Sequence, residues 1–381
     1  MEEPSHPPQL GKCHGQVSEP WVSGADSAAR CATVFEQAAQ LVPTQPLAIN
    51  SVQLRYWELT GYSASELLRV ARKRDGQDMF VMLSFDGTGN VSARLSGHTW
   101  ARQEGHYPTV IDFFSELGQH PLVAGLKGDV LVWLDDGVWT WQQESIRSVP
   151  VFAYGRHIND TRTILMPDPA FLGGHGYKEE LAHLAMLSES YPWQERKETA
   201  YFRGAGTGLG FNAGTWRESA RGRLALLAKK LQRPEMLDAK ITRVRHLEED
   251  CKAELREDQV MGDEAPFDSF VSYKYLVDAD GYCCAWRSLF LKMAMGAVVL
   301  KIDSPYRQWY YDRLKPWTHY VPIASDLSDF EDVYSWLQEH QSHAKEIAEN
   351  GQRFVQGLLY SDARDEMALY LKHVLTCQRA E

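Results

Sequence analysis

"YKYLVDADGYCCAWRSLFLKMAMGAVVLKI" (residues 273–302) decides the fold. Tyr273 to Val277 is an apolar run of strand length. Asp278-Ala279-Asp280-Gly281 breaks it with turn residues. Ala285 to Met295 then reads as a helix, and "AVVLKI" (297–302) as a second buried strand. Strand, turn, helix and strand in this order form a parallel pair with a helical crossover. Asp278 and Asp280 have two readings. They could chelate a metal, or they could shape a tight strand-to-helix turn. An EF-hand is excluded, because the later ligands and the closing Glu are absent. Arg287 opens the helix among apolar neighbours, and a charge buried there needs a partner.

The alternation continues outward. "HYVPIA" (319–324) is a further strand. Phe330, Val333, Tyr334 and Leu337 share one helical face, as do Ile347, Gly351, Phe354 and Val355, and then Met367, Tyr370, Leu371 and Val374. Such a pattern predicts a parallel sheet covered on both faces, with ligands bound at the carboxyl ends of its strands. Upstream, "AYFRGAGTGLG" (200–210) runs from a strand into a glycine-rich loop, followed by a basic helix over 217–231. Glycines let backbone N–H groups approach an anion. The dinucleotide fingerprint fails, because Leu209 or Phe211 stands where its third glycine belongs, and no Gly-Lys-Ser/Thr completes a P-loop. The loop is thus either an anion cradle or an ordinary flexible loop. Arg221 and Arg287 are candidates to grip a diphosphate; Arg217 and Arg223 read as solvated charges.

Residues 46–198 are more mixed. "MFVMLSF" (79–85), "DVLVWL" (129–134) and "SVPVFAYG" (148–155) read as strands, and 111–117 and 179–190 as helices. Asp135 and Asp136 end the second strand. They are either a general base at a strand's carboxyl end or an acidic turn before Gly137. His175, in "GGHGY", lacks a second ligand at metal spacing and reads as a loop residue.

The 381 residues fit two domains, and 44% apolar residues suffice for their cores. A net charge of −11 argues against a general nucleic-acid binder. The six Cys show no C-x-x-C and form no disulfide framework. No apolar run is long enough to span a bilayer, and the N-terminus shows no signal pattern. As written, the chain reads as soluble and cytoplasmic, with the secretory lumen the alternative if its N-terminus is incomplete.

"PWQERKETAYFRGAGTG" (192–208), "SYKYLVDADGYCCAWRSLFLKMAMGAVVLK" (272–301), "WYYDRLKPWTHYVPIASDLSD" (309–329) and "AENGQRF" (348–354) together resemble glycosyltransferase family 90, with "VPVFAY" (149–154) and "ILMPD" (164–168) extending the match upstream. The resemblance implies a GT-B-like α/β fold, two Rossmann-like domains facing across a cleft. It divides the chain into a flexible segment (1–45), an acceptor-side domain (46–198), a sugar-nucleotide domain (199–355) and a C-terminal helix (356–381) that is a candidate to pack back on the first domain. It implies an inverting transferase moving glucose or xylose from a UDP-sugar to a hydroxyl of a glycan, lipopolysaccharide or protein, without a divalent metal or other cofactor. Donor contacts fall on Arg203, Gly204, Ala205, Gly206, Thr207, Arg221, Ala285 and Arg287, with Ala205 in place of a frequent Ser. The base falls on Asp136 or, one residue away, Asp135. The alternative is a non-catalytic protein binding sugar nucleotide or glycan on the same fold. A nicotinamide oxidoreductase ranks last, because the fingerprint it needs is missing.

Overall fold

The computed structural model describes residues 50–98, 106–138, 146–208, 210–244 and 247–379. The expected flexible segment 1–45 lies outside them. Two five-stranded sheets organise the chain. The first contains β1 (Phe80–Asp86), β2 (Val91–Leu95), β3 (Lys127–Trp133), β4 (Val151–Ala153) and β5 (Ile164–Leu165), in the order β2-β1-β3-β4-β5. It is a mixed sheet: β1 pairs antiparallel with β2 and β3, whereas β3, β4 and β5 run parallel. The cause is the short link at residues 87–90, which can only close a hairpin.

The second sheet is wholly parallel. Its strands are β6 (Lys197–Gly204), β7 (Leu237–Ile241), β8 (Tyr273–Asp278), β9 (Val298–Ile302) and β10 (Val321–Ile323), in the order β10-β9-β8-β6-β7. All five residues of β9 are buried, as a strand covered on both faces requires. The order reverses direction between β6 and β8. Loops leaving their carboxyl ends diverge there and open a crevice.

Helix α1 (His106–Gln119) covers the first sheet. Helix α2 (Ala220–Leu231) follows β6, and α3 (Arg287–Ala294) joins β8 to β9. Every α3 residue from Leu289 to Ala294 is buried. Its Leu289, Phe290, Leu291 and Met293 share one apolar core with Phe114, Phe152 and Phe171 of the first half, so this helix is wedged between the halves. A two-stranded ribbon, Arg156–His157 antiparallel to Tyr306–Arg307, ties them a second time. Helix α4 (Tyr360–Thr376) packs back on the first half. There the Tyr360 hydroxyl donates to Glu116 (2.6 Å), and Gln378–Arg379 pair with Tyr62–Ser63.

Two expectations need correction. The helix predicted from 217 starts at 220. Residues 216–218 form a 3₁₀ turn, and Ser219 caps α2 by accepting the Gly222 N–H at 3.0 Å. Arg217 therefore sits on the turn, paired with Glu254 (2.5 Å) and Asp258 (2.6 Å). Arg287 is not buried but exposed. As the first residue of α3 it stands at the crevice, while the apolar residues around it in sequence turn inward.

Candidate active site

The crevice of the second sheet is a cavity of about 510 Å³. Arg203, Gly204, Ala205, Arg221 and Arg287 line it, with Thr242, Arg243, Glu264, Ser288 and Lys292. Among the described lining residues, Arg203, Arg221, Arg243, Arg287 and Lys292 thus stand with one carboxylate, Glu264. Of the other expected donor contacts, Gly206, Thr207 and Ala285 do not line this cavity. Thr207 instead accepts a hydrogen bond from Arg221 (2.6 Å), and Ala285 is buried just before α3.

Arg221 is the second residue of α2 and spans the switch point. Its guanidinium donates to the Ala205 carbonyl (2.8 Å) and to Thr207 on the loop after β6, and to the Ala279 carbonyl (3.2 Å) on the turn after β8. Gly281 makes this approach feasible. A Cβ there would meet Arg221 Nη2 and Thr207 Oγ1, both at 3.1 Å. Arg203 is held to Asp238 (2.8 Å) beside β6. Arg287, by contrast, makes no hydrogen bond or ion pair among the described residues, and its side chain is available to a ligand. The residue before it, Trp286, has φ 49° and ψ −132°. A non-glycine residue adopts such a conformation only where its surroundings enforce it.

Asp278 and Asp280 do not face the crevice as a pair. Asp278 is fully buried and receives Lys292 Nζ at 2.9 Å, with Lys301 Nζ at 3.6 Å from its other oxygen. Lys301 also pairs with Asp280 at 3.4 Å. Burial alone would raise the Asp278 pKa, but Lys292 and Lys301 outweigh it and hold the carboxylate below its usual range. Burial does raise Asp280, despite Lys301. Burial opposes the charge of Lys301 as well, yet Asp280 and Asp278 lift its pKa above normal. Sequence reasoning missed both lysines. The signal was present: Lys292 stands within "SLFLKMAM" and Lys301 within "VVLKI", where a lysine must find an anion.

A second cavity, of about 360 Å³, lies between the halves. Asp135 and Asp136 line it from beyond β3, and Asp168 from beyond β5. Trp286 and Arg287 close it from the other half. Both Asp135 and Asp136 are partly exposed, and the Asp136 N–H donates to Asp135 Oδ1 (2.8 Å), which ties the first carboxylate to the turn. Asp168 is buried and caps the short helix Pro169–Gly173 through the Ala170 and Phe171 N–H groups. It also accepts from the Tyr177 hydroxyl at 3.0 Å. Burial raises its pKa against these hydrogen bonds. The halves meet tightly beside this cavity: a Cβ on Gly155 would lie 2.5 Å from Cys283 Sγ and 3.2 Å from the Trp286 ring.

Among the described residues, no group of three or more metal-ligating side chains occurs, and no helix is long and apolar enough to cross a membrane. His175 lies in the loop after Gly173, as expected.

Two α/β units facing a common cleft, one lined by arginines and the other by carboxylates, define a GT-B-like architecture. The chain belongs to glycosyl transferase family 90, whose model matches residues 129–377. It is 30% identical over 333 residues to human protein O-glucosyltransferase 3, covering 85% of this chain and 60% of that protein. It is 31% identical over 261 residues to zebrafish protein O-glucosyltransferase 2, covering 66% and 44%. The chain thus spans about half the length of the curated relatives it matches. Among solved structures, Anabaena Alr3699/HepE in complex with UDP and glucose aligns with a TM-score of 0.40 at 12% identity, over 69% of this chain and 74% of that one.

Proposed function

We propose that this protein transfers glucose from UDP-glucose to a hydroxyl of a protein acceptor, with inversion at the anomeric carbon and without a metal. Xylose is the alternative sugar, and a glycan the alternative acceptor. The observation that carries this reading is the placement of Arg287. It lines the arginine-rich cavity and also the cavity of Asp135 and Asp136, so an anion gripped in the first reaches into the second. The names of the relatives supply the sugar and the class of acceptor.

In the reaction, Asp136 takes the proton of the acceptor hydroxyl. The oxygen forms its bond to the anomeric carbon as the bond from that carbon to the diphosphate oxygen breaks on the opposite face. UDP departs with the bonding electrons. Arg287 and Arg221, with the positive end of α3, neutralise the charge that grows on it. Asp278 and Asp280 already have ammonium partners, and this favours a metal-free mechanism.

The test is UDP release from UDP-glucose and UDP-xylose in EDTA, with and without added Mn²⁺, for wild type, Arg287→Ala and Asp136→Asn. Turnover of UDP-glucose in EDTA that both substitutions abolish is the expected result. Turnover only with Mn²⁺ overturns the metal-free mechanism. UDP binding without turnover on any protein acceptor points to the non-catalytic binding protein.

A further inference from the structure

The two donor arginines stand on different helices, and something must set the distance between them. Arg221 belongs to α2 and reaches the turn after β8 through the Ala279 carbonyl. Arg287 opens α3. Lys292 lies on α3, one residue more than a turn beyond Arg287. It points back at the strand end: its ammonium donates to the Val277 carbonyl (2.8 Å) and to Asp278 Oδ1 (2.9 Å). Asp278 immediately precedes the carbonyl that Arg221 grips. Lys292 thus fastens the helix of one arginine to the turn of the other. It is almost fully buried and also lines the arginine-rich cavity, beside Ser288 one turn earlier.

An unbraced design was available. A methionine or leucine here would pack on the Phe202 ring, over which the ammonium sits at 5.8 Å, without the cost of burying a charge. Charge balance does not demand Lys292 either. Arg221, Lys292 and Lys301 form a group of three cations around Asp278 and Asp280. Without Lys292, two cations would still face two carboxylates. With it, the cluster around Asp278 and Asp280 holds three cations to two carboxylates, and two of the three, Arg221 and Lys292, line the cavity.

We infer that Lys292 is a positioning residue for donor binding, a built-in cation that holds Arg221 and Arg287 in register for a diphosphate. This rests on the proposed use of UDP-sugar. It assigns to a buried lysine the ordering role that a divalent cation would otherwise have.

The experiment compares binding of UDP and of uridine, by calorimetry, to wild type, Lys292→Met and the double variant Asp278→Asn/Lys292→Met, with thermal unfolding of each. Lys292→Met alone leaves Asp278 with a weaker partner and lowers Tm. The double variant removes the stranded carboxylate and recovers most of that Tm. The expected result is that the double variant, though folded, binds UDP at least about tenfold more weakly than wild type, while uridine affinity is unchanged. UDP affinity restored along with Tm overturns the inference, because Lys292 then serves stability alone. An equal loss for uridine and UDP also overturns it, since the defect is then not one of diphosphate grip. Wild type that fails to bind UDP at all sinks the proposed function itself and the inference with it.

Discussion

The two walls of the cleft are built differently. On the side of the parallel sheet, every cationic group named at the cavity floor except Arg287 is tied to the scaffold: Arg221 to two loops, Arg203 to Asp238, Lys292 to a carbonyl and a carboxylate. On the side of the mixed sheet, Asp135 and Asp136 follow one another on a partly exposed turn. An anion of fixed shape calls for a rigid, pre-paired cradle. A carboxylate that must accept a proton from a variable partner calls for access, and a loop gives it. On the proposed function, the donor site is preformed and the acceptor site is completed by the acceptor.

The largest effect should come from the open wall. Asp136→Asn is expected to lower kcat on the order of 10²–10⁴-fold with UDP affinity kept, and Asp135→Asn to lower it far less. A reversed order in steady-state kinetics would make Asp135 the base. The braced wall should answer in stability first. Lys301→Met takes the ammonium partner from buried Asp280, while Asp278 keeps Lys292, and is expected to cost about 3 kcal/mol in urea unfolding. A loss below about 1 kcal/mol would show that the buried charges rearrange, and the contrast between the walls would fail. Arg287→Ala, whose side chain has no partner to strand, should leave Tm within about 2 °C and lower kcat about 10²–10³-fold.

The smallest effect is a pH dependence within the second half. His319 accepts the Lys315 N–H through Nδ1 (3.1 Å) and stacks on Phe354. Burial, aided by Lys315, lowers its pKa to about 4 from 6.5. A depressed pKa means that the unfolded chain takes the proton first. His319 therefore contributes stability that is complete above pH 6.5 and is lost as the pH falls through 4, at most about 3 kcal/mol and less for its partial exposure. His319→Gln, which keeps an acceptor and does not titrate, should flatten the unfolding free energy between pH 6.5 and 4. An unchanged slope would place the acid sensitivity elsewhere.

The parallel sheet was legible because strands buried on both faces are written as apolar runs. "YKYLVD" and "AVVLKI" show their own ends. The turn after β8 was legible as a turn, but the partners of its carboxylates were not. Lys292 and Lys301 lie 14 and 23 residues from Asp278, and only the fold brings them to it. The start of α2 was misplaced because Arg217 carries a helix former's propensity, whereas the Ser219 cap decides the boundary. Arg287 looked buried because its neighbours are apolar. Its position at the first turn of α3, facing a crevice, is a property of topology. Asp135 and Asp136 were found as a pair, and their identical chemistry on consecutive residues leaves the choice between them to kinetics.

The return of α4 to the first half has a consequence for biosynthesis. The apolar face of Met367, Leu371 and Val374 completes a core begun some 300 residues earlier by Trp57 and Leu67. A ribosome makes that face after the parallel-sheet half. The second core, on one face of the parallel sheet, draws on residues 200 to 348 and has its whole complement before α4 emerges. The customary order of vectorial folding, first-made domain first, is thus inverted between the two halves: the later half can mature on the growing chain, and the earlier one must wait, partly open, until α4 has been made. Chaperone demand during translation should fall on the N-terminal half.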